Sequence, residues 1–326
     1  MAKAPEISIV TETFNIAEGQ GVESTRVALA YVFGLADRRG DIEVLLADSM
    51  EPNLLVDDLR RTFPRLRHVH APGAGYEGIK NLAAQEARGQ FVVYLDSDCR
   101  PVDERWLDAL LAPLREGRGA ASAGVTRYEG TTLLRRVMSV LDFGYLLAAE
   151  ADELGCYASN NCAFTREIRV EVPAPDGPMR CTCYAHAQQL TRSGRPLVRA
   201  PEAVAVHALP PVFKERWRRG YDLVAACWVN PELAETRWLR LGVLAAPLFI
   251  AANLAEDWRR LGRVAGPWGW SPAVLLGARA LAAVLRLIDF GGTVRALAFG
   301  ADPRWSAYGA AAAESAPRLA KGRDSA

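Results

Sequence analysis

The chain has 326 residues, enough to bury one large core or two smaller ones. Its formal net charge is only +1, which excludes a nucleic-acid binder working through a global basic field. Six cysteines (Cys99, Cys156, Cys162, Cys181, Cys183, Cys227), and an N-terminus that leads from Met1 straight into a strand-like run, predict a reducing cytoplasm rather than a disulfide framework.

Short apolar runs alternate with helical spacing through the first half. Residues 7–10 read as a strand and 21–36 as a helix. Residues 42–47 form a second strand ending at Asp48, followed by a helix over 53–63 and a weaker strand over 66–70. A helix over 78–87 feeds a strand over 91–95. Residues 103–114 are helical, with Pro101 near the start, and 120–125 are again a strand. This alternation predicts a doubly wound, mostly parallel α/β sheet. A short strand over 203–206 closes at His207.

The sharpest local feature is Phe91-Val92-Val93-Tyr94-Leu95-Asp96-Ser97-Asp98, an apolar run that ends in two carboxylates. Such a run reads as a strand buried on both faces, and ligands of open α/β sheets gather at carboxyl ends of strands. Two acids one residue apart make a hard, oxygen-rich site suited to Mg²⁺ or Mn²⁺ carrying a phosphorylated ligand. The plainer reading is an acidic turn or helix cap.

A second motif competes. Gly73-Ala74-Gly75-Tyr76-Glu77-Gly78 fits the dinucleotide pattern G-x-G-x-x-G, with Asp96 about twenty residues on, where a ribose-binding acid belongs. Taken literally this is an NAD-dependent oxidoreductase. Against it, two β-α units precede the motif, the strand before it (Arg67, His68, Val69, His70) is polar, and Asp98 has no part in ribose binding. Cys181, Cys183 and His186 lack a second cysteine pair with metal-ligand spacing, so they are not read as a zinc cluster.

Taken in order, several segments resemble family 2 glycosyltransferases of the GT-A fold. Residues 7–15, ending Thr11-Glu12-Thr13-Phe14-Asn15, resemble that family's opening strand, V-I-P-T-Y-N. Residues 44–49 resemble its second strand, with Asp48 as the acid facing the nucleobase. Gly75 through Lys80-Asn81 resembles G-x-x-x-A-R-N. Gly89 through Asp98 resembles the strand with the D-x-D end. Ser159-Asn160-Asn161-Cys162-Ala163-Phe164 resembles the N-x-A-F segment, and His207 stands where a metal-ligating histidine is common.

The resemblance, which spans residues 6–220, implies a Rossmann-like mixed sheet and a nucleotide-diphosphate sugar as donor, UDP-linked, with Mn²⁺ or Mg²⁺. It implies Asp98 and His207 as metal ligands, with Asp96 on the metal or the ribose beside Ser97. Thr11, Glu12, Thr13, Asn15 and Asp48 would hold the nucleobase and ribose. Lys80, Asn81 and the loop at Gly75 would meet the diphosphate, and Asn160 and Asn161 the acceptor. Plainer readings remain: a solvated helix face for Lys80, a satisfied strand-end histidine for His207, and turn chemistry for the asparagines. The pattern breaks at the catalytic base. The family's E-D pair falls on Thr182 and Cys183, neither of them acidic. Asp176 and His186 are the candidates nearby, and a degenerate nucleotide-sugar binder is an alternative.

The C-terminal third differs in character. Residues 211–228 mix Lys214, Arg216, Arg218 and Arg219 with Phe213, Trp217, Tyr221 and Trp228, a combination suited to an anionic membrane surface or lipid-phosphate acceptor. Residues 242–254 are strongly apolar but short, with Pro247 inside. Residues 270–290 place Arg279 and Arg286 on one face of an apolar helix, as in an interfacial segment, with Trp258, Trp268 and Trp270 at headgroup level. A buried helical pair or a homodimer interface is the alternative. The expected organisation is a catalytic domain over 1–230, a membrane-associated helical region over 231–310 and a disordered tail over 311–326. The expected place is the cytoplasmic face of the cell membrane, acting on a glycan or polyprenyl-linked acceptor of the cell envelope.

Overall fold

The computed structural model describes residues 4–14, 22–50, 54–176, 182–229 and 241–300, with main chain only over 225–229. Asn15, Cys181 and the tail after residue 300 therefore lie outside the described residues.

Strands β1 (Ile7–Glu12) and β4 (Phe91–Leu95) are buried along their whole length, and β2 (Ile42–Asp48) is buried from Val44 onward. Two-sided burial is what a central parallel strand demands, and these apolar runs supply it. Helices α1 (Val22–Arg39), α2 (Leu54–Thr62) and α3 (Tyr76–Glu86) form the crossovers. With β3 (Arg67–His70) they give a parallel block in the order β3-β2-β1-β4. The polar composition of β3 is explained by its place at the sheet edge.

Beyond β4 come β5 (Cys99–Pro101), α4 (Trp106–Arg115), β6 (Ala121–Tyr128), α5 (Leu133–Leu147), β7 (Asn161–Thr165), α6 (Arg166–Glu171), α7 (Thr182–Arg192) and β8 (Leu197–His207). The sheet continues β4-β7-β6-β8-β5. Strand β7 is antiparallel to both neighbours, β6 and β8 are parallel, and β5 is antiparallel to β8. The parallel core is thus as expected, but it carries an antiparallel extension, which makes the sheet mixed. The short strand expected over 203–206 is the end of the eleven-residue β8.

The order forces the sheet to curl. Strand β5 stands four places from β4, about 19 Å away in a flat sheet. Only Asp96, Ser97 and Asp98 lie between Leu95 and Cys99, a reach of about 14 Å at most. The far edge therefore rolls back until β5 meets the mouth of β4, which puts His207, the register partner of Cys99, beside Asp98.

Asn161 and Gly124 hold the curled part together. The Asn161 amide donates to Val125 O (3.2 Å) and Ala203 O (2.9 Å), and its Oδ1 accepts from Trp106 Nε1 (2.8 Å). One buried side chain so ties β6, β7, β8 and α4. It fits because Gly124 leaves the space: a Cβ there would stand 2.4 Å from Ala203 O and 2.5 Å from Asn161 Nδ2.

The described residues of 1–131, 142–176 and 182–208 form one compact unit, which contains the sheet. Those of 132–141 and 209–326 form a second, helical one. In the second, α8 (Val212–Val229) crosses α10 (Pro272–Phe299) through small residues. A Cβ on Gly220 would lie 1.8 Å from Asp289 O, and one on Gly292 would lie 2.1 Å from Trp217 O. Between α10 and α9 (Ala246–Ala265) lies a buried ionic cluster. Arg286 binds Asp257 (2.6 Å) and Asp289 (2.7 Å), and Arg216 of α8 binds Asp289 (2.8 Å). The outward faces carry Leu244, Leu248, Leu276, Val284 and Leu287, all well exposed. The interfacial helix expected over 270–290 thus turns Arg286 inward and its apolar residues outward. No described helix is long and apolar enough to cross a membrane.

Gly124→Ala is expected to cost about 1–3 kcal/mol through overpacking at the β6–β8 join. A fall in Tm by several degrees checks this, and an unchanged Tm would show that the join relaxes freely.

Candidate active site

The carboxyl ends of β1 and β4 are adjacent, since β1 and β4 pair in register from Ile7 and Phe91 to Val10 and Tyr94. Glu12 and Asp96, each two residues further on, therefore stand at one level. Thr11 Oγ1 donates to Leu95 O (3.0 Å) and locks the two strand ends. Glu12, Asp96, Ser97 and Asp98 are all buried. Ser97 Oγ donates to Glu12 Oε1 (3.4 Å), and the Phe14 amide donates to the other oxygen of Glu12.

Among the described residues, the ammonium set against these acids is that of Lys80, one turn into α3. It is 1% exposed, so the solvated-face reading fails. Lys80 Nζ donates to Asp96 Oδ1 (2.6 Å), Tyr76 OH (2.6 Å) and Ser159 O (2.9 Å). Tyr76 OH donates to Asp96 Oδ2 (2.5 Å), so both oxygens of Asp96 are held. Burial works against the Lys80 charge, but Asp96, Glu77 and Glu12 outweigh it and raise its pKa. Burial first, then Asp96, pushes the Glu12 carboxyl up to about 8, with Lys80 opposing and Asp98 adding to the rise.

Asp98 faces His207. Asp98 Oδ2 lies 3.1 Å from His207 Nε2. The other ring nitrogen, Nδ1, is 2.6 Å from Ala208 O, which only a protonated Nδ1 can satisfy. In the neutral ring Nε2 then presents a lone pair to a carboxylate oxygen. Consistently, Asp98 Oδ2 is buried without a hydrogen-bond donor. Two acceptors about 3 Å apart match neighbouring ligand positions on an octahedral ion with bonds of about 2.1 Å. Burial raises the Asp98 pKa, His207 opposes the rise and Asp96 adds to it. The backbone carbonyl on Nδ1 is the usual device for fixing a ligand imidazole. The residues present therefore fit a divalent cation, and Asp98, His207 and Cys99 form a cluster able to hold one.

At the neighbouring carboxyl end of β2, Asp48 accepts from Thr13 Oγ1 (2.8 Å) and from the Met50 amide (3.1 Å), and pairs with His68 Nε2 (2.9 Å). The four described residues expected on the nucleoside side (Thr11, Glu12, Thr13, Asp48) thus line the carboxyl ends of β1 and β2.

Other candidates have structural work. Asn160 Oδ1 accepts from Thr126 (2.9 Å), and Asn161 is fully bonded within the sheet. Asn81 makes a reciprocal pair with the Ala174 backbone (2.8 and 3.2 Å), which anchors the loop carrying Asp176. Gly75 and Gly78 have no side chains because the Asp176 carboxylate lies over them: a Cβ on either would come within 2.2 Å of its oxygens. The G-x-G-x-x-G segment so serves a protein carboxylate at the start of α3, and φ of 75° at Gly73 makes the turn before it.

His186 is buried with both ring nitrogens engaged. Nε2 donates to Val172 O (2.7 Å), and Nδ1 accepts from Tyr157 OH (2.8 Å) and from Arg169 (3.2 Å). Burial first, then Arg169, pushes its pKa down to about 4. It is a neutral core histidine with no nitrogen left for an acceptor proton. Thr182 and Cys183 open α7, and Cys183 Sγ lies 3.8 Å from Cys156 Sγ. Sequence reasoning missed Tyr76, Glu77 and Arg169. Glu77 pairs with Arg169 (2.8 Å) and accepts from Ser159 (2.7 Å), which fixes the start of α3 against α6. Tyr76 and Glu77 lay inside a motif already singled out; Arg169 had no local signal.

Residues 25–171 match the model for "Glycosyl transferase family 2". Among solved structures, the chain is similar to the mannosyltransferase PcManGT from Pyrobaculum calidifontis, solved in complex with GDP-Man and Mn²⁺. The TM-score is 0.60 at 18% identity, over 90% of this chain and 87% of that one, a likeness of fold. No curated protein matches the chain.

Two pH dependences follow for the protein without added metal. Glu12 keeps a proton in the native state that the unfolded chain loses above about pH 4.5, so its contribution falls as pH rises toward 8. Glu12→Gln is expected to flatten that slope and raise Tm at pH 8. His186 is neutral when folded, whereas unfolded histidine protonates near 6.5, so stability is lost as pH falls from 6.5 toward 4. Denaturant midpoints across pH 4–8 check both; a Glu12→Gln profile parallel to wild type would overturn the first.

Proposed function

We propose that the chain, whose residues 25–171 match the model for glycosyl transferase family 2, transfers sugar from a nucleoside-diphosphate donor in a divalent-metal-dependent reaction. The observation that carries this reading is the facing pair of Asp98 Oδ2, which is buried, and His207 Nε2, which is partly exposed, 3.1 Å apart. The neighbour's complex with GDP-Man and Mn²⁺ supports a nucleotide sugar and a divalent ion as the ligands here. The match to that family displaces the NAD-dependent oxidoreductase, and the glycines that suggested it lie against Asp176.

Asp98 and His207 are the assigned metal ligands. When bound, the cation supplies the positive charge that the departing nucleoside diphosphate needs. The chain's own residues position the rest. Lys80 and Tyr76 hold Asp96 in one orientation, facing the donor ribose, and Lys80 offsets the charge of that carboxylate. Thr13 and Asp48 form the nucleobase end. Of the two nearby candidates for acceptor base, His186 is committed to the core, so Asp176 is assigned ahead of the more distant Glu150 and Asp152. It is exposed, and its loop is anchored by Asn81 at the mouth of α3. Asp176 takes the acceptor hydroxyl proton as the oxygen attacks the sugar.

The second unit supports a seat on the cytoplasmic face of the membrane, near a polyprenyl-linked or other glycan acceptor. Its charges neutralise one another inside while Leu244, Leu248, Leu276 and Leu287 face outward, an arrangement suited to apolar surroundings.

Three measurements test these assignments. UDP or GDP with Mn²⁺ is expected to raise Tm well above either component alone, and the gain is expected to vanish in Asp98→Ala. Equal stabilisation with and without metal would count against the centre, and the nucleotide with the larger shift identifies the donor class. Asp176→Asn is expected to lower kcat by roughly 10²-fold with donor KM little changed; unchanged turnover would move the base elsewhere. The protein is expected to float with anionic phospholipid vesicles, and Leu276→Glu with Leu287→Glu to remain at the bottom of the gradient.

A further inference from the structure

The residue after the acidic pair has no role in the reading above. Cys99 is a free, buried cysteine, 1% exposed. It opens β5 and is the antiparallel register partner of His207, so the two side chains leave the sheet on the same face. Its sulfur is 3.7 Å from Asp98 Oδ1, while Asp98 Oδ2 is 3.1 Å from His207 Nε2. Sulfur, imidazole nitrogen and carboxylate oxygen all lie within 4.8 Å of one another.

We propose that Cys99 makes this centre a mixed oxygen, nitrogen and sulfur site that takes a thiophilic divalent ion, Zn²⁺, with Asp98 and His207 as its other ligands. The inference rests on the assignment of those two residues as metal ligands. Around a tetrahedral Zn²⁺, with bonds of about 2.3 Å to sulfur and 2.0–2.1 Å to nitrogen and oxygen, neighbouring ligand atoms stand about 3.3–3.7 Å apart. The separations of 3.1 Å to Asp98 Oδ2 and 3.7 Å to Asp98 Oδ1 lie close to that range, and with all three groups within 4.8 Å, side-chain rotation brings one oxygen, the nitrogen and the sulfur around a single ion. On binding, the thiol proton passes to solvent and the sulfur–zinc bond replaces the sulfur–hydrogen bond. Three protein ligands leave a fourth position open, as in zinc sites that also take a small ligand.

The sulfur also discriminates. Mg²⁺ has no affinity for a thiolate and Mn²⁺ prefers oxygen, whereas Zn²⁺ accepts sulfur readily. Cys99 therefore raises the affinity for Zn²⁺ without raising that for the ions expected to support transfer, and Zn²⁺ competes with them at the same acid and histidine.

Cobalt reports the ligand set directly. Titration of Co²⁺ into the full-length protein is expected to give a near-ultraviolet thiolate-to-cobalt band that Zn²⁺ abolishes. In Cys99→Ser the band is expected to be absent while Co²⁺ still binds. By calorimetry the same variant is expected to lose at least about tenfold in Zn²⁺ affinity and to keep its Mn²⁺ affinity within about threefold. Cys99→Ala, with its Tm recorded, repeats the comparison if the serine variant folds poorly. Mn²⁺ binding without a sulfur band in the wild type, or equal loss of both ions in the variants, overturns the role of Cys99 alone. Mn²⁺ that fails to bind, or that binds Asp98→Ala unchanged, overturns the underlying metal assignment.

Discussion

Three carboxylates, those of Glu12, Asp96 and Asp98, are buried in one space, and the ammonium of Lys80 is spent on Asp96. Much of the first unit serves this imbalance. Strands β1 and β4 bring the acids to one level. Helix α3 delivers Lys80 and Tyr76, and the Glu77–Arg169 pair fixes the start of that helix. Glu12 meets the deficit by keeping its proton toward neutral pH, at about 8. Asp98 faces the His207 ring, with Oδ2 3.1 Å from Nε2. A buried group of acids with too few cations is costly by itself. Bound positive charge would offset that cost, and the proposed metal site is consistent with the burial of these acids.

Much of this was legible in the chain. The runs at residues 7–10, 42–47 and 91–95 gave the parallel block, because two-sided burial leaves an unmistakable apolar signature. Asp96, Asp98 and His207 were legible through their order and their place at strand ends. The antiparallel extension was not. Strand β5 is three residues long and carries Arg100 and Pro101, so no periodicity announces it. The Asn160-Asn161 pair was read toward the acceptor, yet the fold uses Asn161 to join three strands, a role visible only once Gly124 and Ala203 are its neighbours. His186 misled for a similar reason: a histidine on a helix shows nothing of the carbonyl and the phenol that close around it. Arg169 is silent in sequence because a buried guanidinium depends on distant partners, here Glu77 and Tyr94.

The second unit shows how patterning can be read correctly and oriented wrongly. Residues 270–290 were recognised as an apolar helix with arginines on one face. In an interfacial segment that face would meet the headgroups. Instead Arg286 is almost enclosed between Asp257 and Asp289. Small residues (Gly220, Gly292) let α8 and α10 approach closely enough for Arg216 to reach the same cluster. The helix was therefore amphipathic as expected, with its faces exchanged.

The roll of the sheet gives the interval between the two acids a second meaning. The D-x-D spacing is usually weighed as ligand chemistry. In this chain the same three residues are also the shortest strap across the rolled sheet, from its middle strand to its far margin. An added residue there would slacken the strap. Strand β5 would slip along β8, and the histidine would lose its partner even though both acids were still present. The motif's length is thus a dimension of the rolled sheet, and the topology tolerates a change of side chain in it more readily than a change of length.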